Sequence, residues 1–283
     1  MSQTKQLITA DLRRWIVDQA KAGQPPEAVL ASMKASGWNE DTALEALEEV
    51  MLGHVQALAS GQDAPQAVIP WVDTASGNTL WAHDREIRIL MSSDHPRVVM
   101  LGNVLSQDEC NELIAMARKR LGRSETVVNE TGGNEINEAR TSEGMFFNRA
   151  ENELVERIER RLAALTHWPI ENGEGLQVLR YGIGAEYKPH FDYFDPAQPG
   201  SKAVLRRGGQ RVGTVVLYLN TPENGGATTF PDAGLSVYPC AGYAAFFSYA
   251  MADPGSKTLH GGAPLVVGEK WVATKWMREG QFE

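Results

Sequence analysis

From Leu176 onward the sequence breaks into short segments rich in β-branched and aromatic residues, each closed off by glycine or proline: Leu176–Tyr181, Thr214–Asn220, Tyr243–Tyr249 and Trp271–Met277. Runs of this kind read as strands. Several of them at turn-punctuated intervals suggest a double-stranded β-helix (jelly roll) or a related barrel. Ahead of them the periodicity is helical. Ser106-Gln107-Asp108-Glu109 is a capping-box pattern opening a helix with Cys110, Leu113, Ile114, Ala117 and Leu121 on its buried face. A second helix is expected from about Ala150 to Thr166, with Leu154, Ile158, Leu162 and Leu165 turned inward. Helices first and strands second give an α+β chain whose jelly roll, over 81–283, is buttressed by helices.

Residues 1–55 have a different character. Leu12, Trp15 and Ile16, then Val29, Leu30 and Met33, then Leu44, Leu47, Val50 and Met51 fall at helical spacing. Gly23 with Pro25-Pro26 separates the first two helices; Gly37, with Asn39 as an N-cap, separates the second from the third. A piece of about 45 residues is near the lower limit for an independent core. Between it and the larger domain, 56–80 is rich in Gly, Ala, Asp, Ser and Pro without periodicity and reads as a linker.

Composition excludes several classes of partner. With 27 basic and 36 acidic residues the net charge is −9, which repels a phosphate backbone, so no nucleic-acid partner is expected. Cys110 and Cys240 are the two cysteines and form no CxxC, which points away from a disulfide framework or a zinc-thiolate site and fits a reducing compartment. No run of about 18 apolar residues occurs and the first residues lack an apolar h-region, so no membrane partner is expected and the location expected is cytoplasmic.

Of six histidines, two stand in unusual company. In Tyr187-Lys188-Pro189-His190-Phe191-Asp192, Pro189 argues against a helix, and on a strand His190 and Asp192 point to the same face. His260, in Thr258-Leu259-His260-Gly261-Gly262, is the best third ligand, because its small neighbours allow close backbone approach. Two imidazoles and a carboxylate on one side of an ion leave three adjacent sites open, the facial triad of non-haem iron(II) oxygenases. An HxD alone is common by chance. What adds weight is Lys270: Lys270, Val272, Thr274 and Trp276 share one largely apolar strand face. A lysine inside a barrel there needs an anion, and strand alternation sends Glu269 to the other side. A cosubstrate carboxylate would serve; the alternative is a solvent-exposed face with an ordinary salt bridge. His54, His83, His95 and His167 lack a partner at ligand spacing and are assigned to structure or surface.

These residues sit in a wider pattern. Arg140-Thr141-Ser142-Glu143-Gly144-Met145-Phe146, Leu176–Tyr181, Tyr187–Asp192, Gln210-Arg211-Val212, Tyr218-Leu219-Asn220, Gly225–Pro231 and Leu259–Arg278 match, in order and spacing, the prolyl 4-hydroxylase catalytic domains of the 2-oxoglutarate oxygenases. The region from about Arg85 to Glu279 resembles that family. The resemblance implies iron(II) on His190, Asp192 and His260, and 2-oxoglutarate held through its distal carboxylate by Lys270 with hydroxyl support from Tyr181 and Thr228. It implies dioxygen as oxidant, ascorbate as supporting reductant, and succinate and carbon dioxide as products. It also implies a peptide groove lined by Arg140, Ser142, Tyr187, Arg211 and Trp276, hence a proline-containing peptide or protein substrate. Ala227 departs from the family, which carries an acidic residue after the glycine pair.

A hydroxylase of a free amino acid or other small metabolite would share the triad and cosubstrate; a non-catalytic peptide-binding module would share only the groove. The three N-terminal helices loosely resemble ubiquitin-associated-type bundles, and are expected either to recruit a protein partner or to pack structurally.

Overall fold

The computed structural model describes residues 24–48, 69–123, 126–127, 134–135 and 141–283, with Gln6, Leu12, Trp15, Ile16 and Gln19. Contacts divide the chain into two units, Met1–Ala67 and Val68–Glu283.

In the first unit Leu12, Trp15, Ile16 and Gln19 are helical, followed by helix α1 (Pro26–Ala35) and a helical stretch over 40–48. Pro26 occupies the first turn of α1, where a missing N–H costs nothing. Gly37, at φ +92°, takes the left-handed conformation that lets the chain turn. Asn39 then caps the next helix, its Oδ1 accepting from the Thr42 N–H at 2.8 Å. Leu12, Ile16, Val29, Met33, Ala43 and Ala46 form a small core.

The second unit opens with strands, not with a helix: β1 (Thr79–Ala82), β2 (Arg85–Asp94) and β3 (Arg97–Gly102). This corrects the order expected from sequence. β2 lies next to the sheet edge with every other residue exposed, but Arg85 and Ser93 on its inner side and Leu90 on its outer side blur that alternation in the sequence. The expected linker lies outside the described residues up to residue 68. Residues 69–78 belong to the second unit: Ile69 and Val72 pack into its core and the Trp71 N–H donates to the Thr166 carbonyl at 3.0 Å.

After β3 comes helix α2 (Gln107–Arg118), with the capping box formed in full. Next are the short strands β4 (Gly122–Arg123), β5 (Thr126–Val127) and β6 (Asn134–Glu135), then β7 (Glu143–Phe147) and helix α3 (Glu153–Thr166), which Asn152 caps. Strands β8 (Leu176–Tyr181) and β9 (Tyr187–His190), helix α4 (Ser201–Leu205) and strand β10 (Arg211–Tyr218) follow. The remaining strands are β11 (Asn224–Gly225), β12 (Thr228–Phe230), β13 (Leu235–Val237), β14 (Ala244–Ser248), β15 (His260–Gly262), β16 (Leu265–Val267) and β17 (Lys270–Arg278).

Nine strands make an antiparallel sheet in the order β1-β2-β3-β14-β10-β17-β8-β7-β4, and four make a smaller one, β13-β12-β15-β9. The large sheet has two apolar faces. Val215, Leu217, Trp271 and Ala273 meet the buried sides of α2 and α3, while Val216, Tyr218 and Val272 meet Phe230 and Val237 of the small sheet. Alternation along β10 and β17 therefore serves helices on one side and a second sheet on the other. This is the double-stranded β-helix.

Buried charges fasten the helices. Arg161 of α3, 1% exposed, donates to both carboxylate oxygens of Asp84 and both of Glu109, each at 2.8–2.9 Å. Glu109 also completes the α2 cap. Among the described residues no helix is long and apolar enough to cross a membrane.

Candidate active site

The pairing of β15 with β9 sets His260 directly opposite His190. Glycines permit that closeness: a Cβ on Gly261 would lie 2.9 Å from the Tyr187 carbonyl oxygen. The two imidazole centroids are 4.4 Å apart, and Asp192, two residues beyond His190, turns its carboxylate towards both. One oxygen lies 3.5 Å from His190 Nε2 and the other 3.6 Å from His260 Nε2. Among the described residues these three side chains are the one cluster of histidine, cysteine and acidic groups able to hold a metal ion, their donor atoms all within 4.8 Å of one another.

The backbone fixes which nitrogen faces the cluster. His190 Nδ1 lies 2.9 Å from the Lys188 carbonyl and His260 Nδ1 lies 2.9 Å from the Thr258 carbonyl. A carbonyl only accepts, so each Nδ1 carries the hydrogen and a neutral ring offers its Nε2 lone pair to the centre. Burial, with His190 nearby, brings the His260 pKa down to about 4 against the pull of Asp192, so this ring is neutral at neutral pH. Burial pushes the Asp192 carboxyl up, but the facing His260 and His190 rings, with the Arg211 charge behind them, outweigh it and hold the group far below the carboxylate range. Thr214 Oγ1 on β10 donates to Asp192 at 2.7 Å and in turn accepts from the Tyr249 hydroxyl at 3.2 Å. Two nitrogens and one oxygen on one side of a common point are the donor set that suits iron(II) with open positions.

Deeper in the same cleft stands Lys270, the first residue of β17 and 4% exposed. Its register partner on β8 is Tyr181, whose ring lies 5.3 Å from the ammonium. Among the described residues no carboxylate pairs with Lys270, and burial lowers its pKa to about 8. Glu269 faces the other way, bonded to Arg118 and Arg180 at 3.0 and 2.7 Å. On β12 the Thr228 hydroxyl accepts from the buried Tyr218 hydroxyl at 2.9 Å, leaving its own hydrogen to donate. Lys270, Tyr181 and Thr228 thus line the same cleft as the His/Asp cluster, together with apolar Leu179, Val216 and Val272. A cationic group and hydroxyl donors, dry and without an anion, form a seat for a carboxylate.

Of the expected groove residues, Tyr187 and Trp276 line the cleft. The Tyr187 ring stacks on His190 at 3.7 Å. The Trp276 indole Nε1 is buried and has no hydrogen-bond partner among the described residues. Arg211 contributes in a way sequence did not suggest: its guanidinium is forked onto Glu174 at 2.7 and 2.9 Å, lies 4.0 Å from the Trp276 ring and reaches the Asp192 carbonyl at 3.4 Å. Ser142 is fully buried. Arg140 and His54 lie outside the described residues. Sequence reasoning missed Thr214 and Glu174. Thr214 could have been found, since it shares a strand face with Val216 and Tyr218; Glu174, in an irregular segment, carried no periodic signal.

Residues 176–278 match the model of the 2OG-Fe(II) oxygenase superfamily. Prolyl 4-hydroxylase 5 of Arabidopsis thaliana is 38% identical over 234 residues, covering 75% of this chain and 77% of that protein. Prolyl 4-hydroxylase 1 of the same plant is 39% identical over 224 residues, covering 70% and 77%. Among solved structures, the viral collagen prolyl hydroxylase of Paramecium Bursaria Chlorella virus-1, in complex with 2OG, matches 64% of this chain and 95% of its own at 31% identity, with a TM-score of 0.48.

Proposed function

The chain belongs to the prolyl 4-hydroxylases of the 2OG-Fe(II) oxygenase superfamily and is a 2-oxoglutarate-dependent dioxygenase; from that premise we propose which of its residues perform the hydroxylation of a proline-containing peptide or protein. Iron(II), 2-oxoglutarate and dioxygen together supply the oxidising power that turns a prolyl C–H into C–OH, with succinate and carbon dioxide released.

His190, Asp192 and His260 hold the iron, each imidazole offering Nε2 because its Nδ1–H is spent on a main-chain carbonyl. Thr214 keeps the Asp192 carboxylate in place. Lys270 receives the far carboxylate of 2-oxoglutarate, with the Tyr181 and Thr228 hydroxyls as further donors. Leu179, Val216 and Val272 keep the cleft dry, which strengthens the charge pairing. Tyr187, Trp276 and Arg211, with Ser142 and Arg140, orient the peptide so that one prolyl carbon is presented and the side chains of the cleft are not. Ascorbate serves as the supporting reductant, the site of action is the cytoplasm, and the N-terminal helices recruit a protein partner.

The observation that carries this reading is the buried lysine, without a carboxylate partner among the described residues, that shares a cleft with two opposed imidazoles and a carboxylate. Incubation with iron(II), 2-oxoglutarate and a library of proline-containing peptides tests it, with succinate release and the mass gain of one oxygen on proline as readouts. Succinate stimulated by free proline and by no peptide would instead favour a small-metabolite hydroxylase.

A further inference from the structure

A file of alternating rings and cations leads out of the cleft. From Trp276 the Arg211 guanidinium is 4.0 Å away, and Arg211 is 4.8 Å from the Phe194 ring. Phe194 lies 4.9 Å from the Arg278 guanidinium, Arg278 lies 5.2 Å from Phe282, and Phe282 lies 4.5 Å from Arg207. Every step falls within the roughly 6 Å over which a cation and an aromatic face attract. Each pair of guanidinium groups has a ring between them, and Glu174 binds Arg211 and Arg278 together.

The outer end of this file rests on residues 279–283, which are fastened to two other segments. The Glu279 N–H donates to the Gln210 carbonyl at 2.9 Å, and the Glu279 carboxylate accepts from the Gln210 N–H at 2.8 Å. Gly280 N–H donates to the Gly208 carbonyl at 2.8 Å, Phe282 N–H to the Glu171 carbonyl at 2.9 Å, and Arg207 Nε to the Glu283 carbonyl at 2.7 Å. Gln210 also grips the main chain of Phe194 on both sides, at 2.8 and 2.7 Å. Phe282 belongs to neither hydrophobic core of this unit; among the described residues its ring meets the Arg207 and Arg278 guanidinium groups. A ring placed in that way adds little to global stability and much to the placing of the cations beside it.

We propose that residues 279–283 act as a strap, with Phe282 as a positioning residue that fixes Phe194, Arg211 and Trp276 as one wall of the peptide groove; this rests on the peptide-hydroxylase reading above. The strap governs peptide recognition and leaves the cosubstrate seat alone, because Lys270, Tyr181 and Thr228 stand outside the file.

The test compares the full-length protein with Phe282→Ala, Phe282→Tyr and Phe282→Leu in the presence of iron(II) and 2-oxoglutarate. F282A is expected to raise the KM for a proline-rich peptide about tenfold, the factor that follows from losing contacts of this kind. The KM for 2-oxoglutarate and the peptide-independent succinate rate stay at the wild-type values, and the melting temperature falls by no more than about 3–6 °C. F282Y restores the peptide KM and F282L does not, since leucine fills space without a π face. An unchanged peptide KM in F282A, a normal F282L, or a parallel rise in the 2-oxoglutarate KM overturns the proposal. Amide exchange over 191–211 distinguishes failure of the strap from failure of the peptide reading. Faster exchange in F282A with no peptide stimulation in the wild type overturns only the latter; unchanged exchange overturns the strap.

Discussion

Lys270→Met should make the ligand-free protein more stable while crippling its use of 2-oxoglutarate. Burial without an anion brings the Lys270 pKa from 10.5 to about 8, and a displacement of that size corresponds to roughly 3 kcal/mol against the charged form. Methionine fills a similar volume without that cost. A rise in melting temperature of several degrees is expected, at about 2–4 °C for each kcal/mol relieved. The sign of the pH dependence follows. Below about pH 8 the lysine is charged in both the folded and unfolded chain and the full cost is present; as pH rises from 8 towards 10.5 the folded lysine loses its proton and the cost vanishes. The advantage of K270M over the wild type should therefore shrink across that window. Binding moves the other way. A charge-assisted hydrogen bond of about 1.5–3 kcal/mol is lost with the ammonium group, which raises the 2-oxoglutarate requirement about ten- to a hundredfold. Scanning calorimetry at pH 7 and pH 10, with succinate assays over a 2-oxoglutarate series, measures both effects. A variant that melts below the wild type and keeps its cosubstrate requirement refutes the argument.

Other sites make independent demands. Thr214→Val leaves the Asp192 oxygen without its 2.7 Å donor, and iron affinity measured by titration should fall about ten- to a hundredfold with the fold intact. Gly261→Ala puts a methyl 2.9 Å from the Tyr187 carbonyl, forcing β9 away from β15; metal analysis of the purified variant should find little bound iron, and stoichiometric iron would contradict the pairing. Arg161→Leu removes the bonds to Asp84 and Glu109 and leaves Glu109 with Arg157, Arg85 and the Ser106 N–H, and should cost about 3 kcal/mol in urea denaturation. Burial pushes the Glu109 carboxyl up, but its bonds to Arg161 and the Ser106 N–H hold it at about 2. Its contribution is therefore present above about pH 4.5 and lost as pH falls towards 2, so the difference between R161L and the wild type should narrow on acidification.

How far these features could be read in advance follows from where each signal resides. The Ser106 cap, the Asn39 cap and the strand Leu176–Tyr181 depend on neighbours in sequence, and they stand where local chemistry puts them. The His190, Asp192 and His260 set was legible because two members are two residues apart and the third lies among glycines; what sequence could not reveal was the register that sets His260 opposite His190. Of the strands before α2, Arg85–Asp94 escaped notice because Arg85 and Ser93 face inward and Leu90 outward, which blurs its alternation, while Arg97–Gly102 is a short buried apolar run that periodicity alone does not assign to a strand. The fate of Arg211 escaped for another reason. Whether an arginine meets solvent, substrate or a buried acid depends on a partner brought from elsewhere in the chain, here Glu174.

Strand β17 carries two unrelated duties on alternate residues. Lys270, Val272, Thr274 and Trp276 line the cleft, while Trp271, Ala273, Lys275 and Met277 lie against the opposite layer, where Lys275 grips Glu159 of α3. Because the period is two, inserting one amino acid after Glu269 would exchange the faces wholesale, sending Trp271 into the chamber and Lys270 toward the helices. The bend ahead of it, where Gly268 takes φ +86°, is accordingly expected to hold its length as strictly as it holds its glycine.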